Sequence, residues 1–125
     1  MSKRTYIFLF IIITLAIIMV SCRNDVEPIG DGYKLVSMYA GADDIADQND
    51  VVIMEPNVSR YAVNDQYIVG LHERPVRYSH STWTPTQKLG YFIYDKKTKK
   101  LRDGVPKDDF AAFVHENNIE FDFEG

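Results

Sequence analysis

"GYFIYDKKTKKLRDGVPKDDFAAFVHENN", Gly90 to Asn118, holds two different hydrophobic periods, and the point where one gives way to the other decides the fold. Tyr91 to Tyr94 is a run of aromatic and β-branched residues, as a strand requires. A polar stretch at Lys96 to Thr98 reads as a turn, and the chain returns through Leu101. That is a hairpin. After Pro106 the period lengthens. Phe110, Phe113 and Val114 stand at i, i+3 and i+4 with Ala111 beside them, which is one face of a helix. Pro106 is placed to open that helix, and Asp108 and Asp109 suit its positive N-terminal end. Asn117-Asn118 is placed to close it.

Working outward, "IEFDF" alternates with Ile119, Phe121 and Phe123 on one side, and predicts a final strand. Upstream, "VSRYAVNDQYIVGLHE" holds two β-rich runs around Asn64-Asp65, which tolerate turn conformations, so a second hairpin is expected. Tyr67, Val69 and Leu71 fall on one face of its second arm. "YKLVSMYA" from Tyr33 is rich in β-formers, and "DVVIMEP" is a short apolar strand stopped by Pro56. The expected class is α+β: a small antiparallel sheet of two hairpins with flanking strands, and one C-terminal amphipathic helix packed on it.

The N-terminus is of another kind. Lys3 and Arg4 precede a run from Tyr6 to Val20 that only Thr14 interrupts. A basic start, about 15 apolar residues and then a small residue make a secretory signal layout. A membrane span wants roughly 20 apolar residues, so an uncleaved signal anchor is the alternative. The only cysteine, Cys22, stands where this run ends. No disulfide within the chain can form.

"MVSC", Met19-Val20-Ser21-Cys22, resembles the lipobox of bacterial lipoproteins. The resemblance implies that the Cys22 thiol receives a diacylglyceryl group. Cleavage then follows Ser21, and Cys22 becomes the acylated first residue of the mature chain. Met19 replaces the usual Leu with a side chain of similar size. Arg23 rather than Asp after the cysteine points to the outer membrane, if the cell has one. The expected division is a signal peptide over 1–21, a lipidated N-terminus and tether over 22–31, and one domain over 32–125. From Gly32 on, "DGYKL", "YAVNDQYIVG" and "YFIYDKKTKKL" are similar to a family of small bacterial lipoproteins of unknown function. That resemblance implies no activity and no cofactor.

Removing the signal takes Lys3 and Arg4 and leaves 12 basic against 18 acidic residues, moving the formal charge from -4 to -6. An acidic surface argues against nonspecific nucleic-acid binding. Neither a Walker loop, a G-x-S-x-G, a dinucleotide fingerprint nor H-E-x-x-H occurs. No catalytic, cofactor-binding or metal-ligating set is therefore assigned.

Three clusters remain. "DDIADQND" supplies Asp43, Asp44, Asp47 and Asp50, carboxylates of the type that bind calcium. It lacks the spacing of a calcium loop and reads as a solvated acidic loop or a single helical turn. "HERPVRYSHSTWTPTQK", His72 to Lys88, joins the two hairpins and concentrates Arg and aromatic residues, the types that dominate interfaces. Arg74, Arg77, Tyr78, His80 and Trp83 form the candidate interaction surface. The bland alternative is a structural loop with Trp83 plugging the core. His72 and His80 lack a third ligand at convincing spacing for a metal. "KKTKKLR" is a basic turn that could touch anionic lipid, or simply a solvated hairpin end. His115 reads as a surface residue near the helix C-terminus.

The function expected is a lipid-anchored cell-envelope protein acting through contacts with an envelope partner. An immunity protein or enzyme inhibitor is the alternative, and an enzyme the third.

Overall fold

The computed structural model describes residues 25–39, 42–74 and 85–124. Eight strands and one helix follow in chain order. The strands are β1 (Asp25–Gly30), β2 (Tyr33–Tyr39), β3 (Ala42–Ala46), β4 (Val52–Met54), β5 (Val58–Val63), β6 (Tyr67–His72), β7 (Gly90–Asp95) and β8 (Lys100–Val105). The helix α1 is Lys107–Glu116. The class is α+β, as the hydrophobic periods require. The strands form two antiparallel sheets rather than one, in the orders β1-β2-β3-β4 and β5-β6-β7-β8.

Three layers result, with the β5–β8 sheet in the middle. Side chains alternate across a strand, and on β7 both sets are buried. Phe92 and Tyr94 join Ile68 and Val58 against Ile45, Met54, Ile29 and Tyr33 of the first sheet. Ile93, with Tyr91 packed beside it, joins Val69 and Val105 against Phe110 and Val114 of α1. Tyr67 stands on the helix side with Val69, meeting Phe113 edge-on at 4.9 Å between ring centres. Gly70 is required on β6, between its neighbours β5 and β7 in the middle sheet. A Cβ there would lie 2.3 Å from the Arg60 carbonyl oxygen and 2.7 Å from the Phe92 ring.

The helix begins after Pro106, with Asp108 and Asp109 in its first turn and the exposed His115 in its last. It ends in a Schellman motif. Asn118 takes a left-handed conformation (φ 53). Its N–H donates to the His115 carbonyl at 3.3 Å, and that of Ile119 to the Val114 carbonyl at 2.9 Å. Buried Ile119 then packs in the same core as Val114.

Two expectations are corrected. Residues 25–30, read as part of a tether ending at 31, form β1 and pair with β2 from Asp25↔Ser37 to Gly30↔Tyr33. Residues 25–30 therefore belong to the folded domain. Asp31 and Gly32 turn the hairpin with positive φ (54 and 83), the backbone such two-residue turns need. Pro28 fits because β1 is an edge strand, where its missing N–H breaks no ladder. The second correction concerns "IEFDF", which joins no sheet. Its alternation is real, but Phe121 and Phe123 pack with Phe110 and Tyr91 in an aromatic cluster, ring centres 4.5–6.1 Å apart.

Successive strands are antiparallel and adjacent within each sheet, so the molecule has two distinct ends. At the Lys97 end lie the turns at 31–32, 47–51, 64–66 and 96–99. At the Asp25 end lie the start of β1, the 55–57 link between the sheets, and the approaches to β7 and α1. Phe110 is fully buried beneath the aromatic cluster. Phe110→Ala should cost about 3–5 kcal/mol of stability, the range for truncating a large core aromatic, as read from urea unfolding.

Candidate interaction surface

The candidate surface is only partly within the described residues. Arg74 is exposed, just beyond the end of β6. Arg77, Tyr78, His80 and Trp83 lie outside the described residues, as do Cys22 and Arg23. The described residues flanking 75–84, Arg74 and Pro85, both belong to the Asp25 end, and the chain around them is firmly fixed there.

His72 carries the first fixing. Its side chain is fully buried. Nε2 lies 3.0 Å from the Pro56 carbonyl oxygen and Nδ1 3.2 Å from that of Lys88. Carbonyls only accept, so each contact is a hydrogen bond when that ring nitrogen carries its proton. The ring thus joins the link between the sheets to the strand-entry segment before β7. This is a structural post rather than an exposed ligand.

Gln87, which was not singled out from the sequence, carries the second. Its Oε1 accepts the Glu55 backbone N–H at 2.7 Å, and its Nε2 donates to the Ile53 carbonyl at 3.0 Å. β4 is an edge strand, and one side-chain amide here replaces a missing neighbour strand. The Glu55 carboxylate returns the interaction, accepting the Gln87 N–H at 2.5 Å and the Thr86 hydroxyl at 2.9 Å. The only available signal was a Gln and a Glu, each close to a proline, which is too common to read.

The acidic stretch is neither a helical turn nor a simple loop. Asp43 and Asp44 sit on β3. Asp43 accepts the Ser37 hydroxyl at 2.7 Å. Asp47 organises the next turn, its Oδ1 accepting the Asn49 and Val51 backbone N–H groups at 2.8 and 3.0 Å. Asp50 pairs with Lys34. Asp44 is buried, and its Oδ1 has no hydrogen-bond partner among the described residues. Burial, and then the neighbouring Asp43 carboxylate, raise its pKa above the ordinary value. Among the described residues no three His, Cys, Asp or Glu side chains are gathered as metal ligands.

The lysine-rich turn belongs to the opposite end. The Asp95 carboxyl holds it together by accepting the backbone N–H groups of Lys97 and Thr98 at 2.9 and 3.3 Å. Burial pushes the Asp95 pKa up, but these bonds outweigh it and leave it lowered. Lys96 is mostly buried and reaches across the two sheets to Asp31 at 2.7 Å. Below that pair the Tyr33 and Tyr94 hydroxyls meet at 3.3 Å. Burial, with Tyr33 next in effect, pushes the Tyr94 hydroxyl far above its ordinary range. Lys97, Lys99 and Lys100 are exposed.

No family model matches the chain, and neither a curated protein nor a solved structure matches it significantly.

Two measurements check this geometry. Gln87→Ala strands an N–H and a carbonyl on the β4 edge and should cost about 1–3 kcal/mol, the penalty for unsatisfied, partly buried polar groups, by chemical denaturation. Asp44 has a raised folded pKa, so wild type loses stability as pH rises through that value. Asp44→Asn should therefore melt higher than wild type at pH 7. The gain should disappear below the ordinary Asp range, where the wild-type Asp44 carboxyl is neutral both folded and unfolded, in melting curves taken across pH.

Proposed function

We propose that this chain is a bacterial lipoprotein: a cell-envelope domain held on a membrane through lipid on Cys22, working by protein contact rather than catalysis. The observation that carries the reading is Met19-Val20-Ser21-Cys22 standing at the end of a 15-residue apolar run behind Lys3 and Arg4. One acyl chain binds a membrane only marginally, whereas two or more anchor it stably at about 0.8 kcal/mol per buried CH₂. A diacylglyceryl group on Cys22 meets that requirement. With Arg23 following, the outer membrane is the expected site in a two-membrane cell. The Arg- and aromatic-rich segment with Arg74, Arg77, Tyr78, His80 and Trp83 is the proposed contact surface for an envelope partner.

The mature charge of -6 favours a second reading, an immunity protein or inhibitor that neutralises a basic enzyme. Protection of cells against a co-expressed toxin separates the two.

Labelled palmitate should appear on wild type and vanish from Cys22→Ala, which should also remain unprocessed. Label persisting on Cys22→Ala excludes the anchor. Crosslinked partners should be lost with Arg77→Ala or Trp83→Ala, and retention of every partner by both variants excludes that surface.

A further inference from the structure

We infer that the Asp25 end of the domain faces the lipid headgroups and the Lys97 end faces away, with the orientation imposed by the length of the leash rather than by surface charge. This rests on the lipid anchor proposed above.

The argument is one of reach. Lipid on Cys22 holds that residue at the membrane surface. Three Cα steps separate it from Asp25, the first residue of β1, and at about 3.8 Å each they span at most about 11 Å. Asp25 is already paired with Ser37 in the sheet, so the leash cannot lengthen without breaking β1 from β2. A strand of β1's length spans about 20 Å. An inverted domain, with its lysine turn on the headgroups, would lift Asp25 beyond the reach of Cys22.

Among the described residues, charge gives the Asp25 end no net affinity for anionic lipid. Arg74, Lys88 and Lys107 lie there, but so do Glu55, Glu73, Asp103, Asp108 and Asp109, and Asp103 accepts the Lys88 backbone N–H at 2.8 Å. Three exposed lysines, Lys97, Lys99 and Lys100, cluster in the turn at the other end, and two, Lys88 and Lys107, stand apart at this one. An attraction of that lysine turn for anionic lipid would set the domain the opposite way up. The leash forbids this, and the lysine turn is left pointing into the aqueous compartment. The geometry thus makes the headgroup layer the neighbour of Arg74 and Glu73.

The test uses the full lipidated chain in vesicles, where the thioether at Cys22 leaves no native thiol. Glu73→Cys and Lys97→Cys, both at exposed positions, each carry a fluorophore, and the vesicles contain headgroup-spin-labelled phosphatidylcholine. Quenching should be several-fold stronger at 73 than at 97, and equal at low and high salt, since a surface attraction would be screened. Inserting about ten Gly and Ser residues between Asn24 and Asp25 adds a flexible reach of roughly 17 Å and should erase the difference. Equal quenching at both positions, or stronger quenching at 97, overturns the orientation. A preference that survives the insertion, or that salt abolishes, overturns the leash as its cause. A chain whose mass carries no lipid and that does not float with vesicles overturns the anchor itself, and this inference with it.

Discussion

Everything in this domain depends on the β5–β8 sheet being covered on both faces. A sheet buried on one side only can afford polar residues at every second position. This one cannot. Tyr91, Phe92, Ile93 and Tyr94 are consecutive, and they send their side chains alternately toward the helix and toward the first sheet. Removing either outer layer would expose a continuous apolar surface. The first sheet and α1 are therefore tied to each other through a layer that neither can leave.

This constraint also explains what could be read from the sequence. The helix was legible in full because three local signals agree: the Phe110–Val114 spacing, the acidic first turn, and Asn117-Asn118 at the close. Both hairpins were legible from their turns. The division into two sheets was not, because it depends on which strand edges meet, and a short link such as 55–57 looks like any other turn. The four-residue run on β7 does carry the missing signal, since a strand without alternation is one buried on both faces.

The first strand was hidden by Pro28 and by the polar residues around it, which resemble a tether. Gly30-Asp31-Gly32 was the counter-signal, and Pro28 is harmless on an edge. "IEFDF" misled in the opposite direction. Its alternation is a sound packing pattern, but a period of two needs an available edge to become a strand. Here it follows the reversal at Asn118 and is spent on the Phe110 cluster instead. The candidate surface was legible only as composition. How its flanks are fixed, through the His72 ring and the Gln87 amide, comes from contacts 16 to 34 residues apart in the chain.

The Gln87 amide has a consequence of its own. An open strand edge is a template for chain-to-chain growth. Among the described residues, both edges of the first sheet are blunted. One edge carries Pro28, and the other is already occupied by a side chain from its own molecule. Copies of the domain can then collide without adding strand to strand at this sheet.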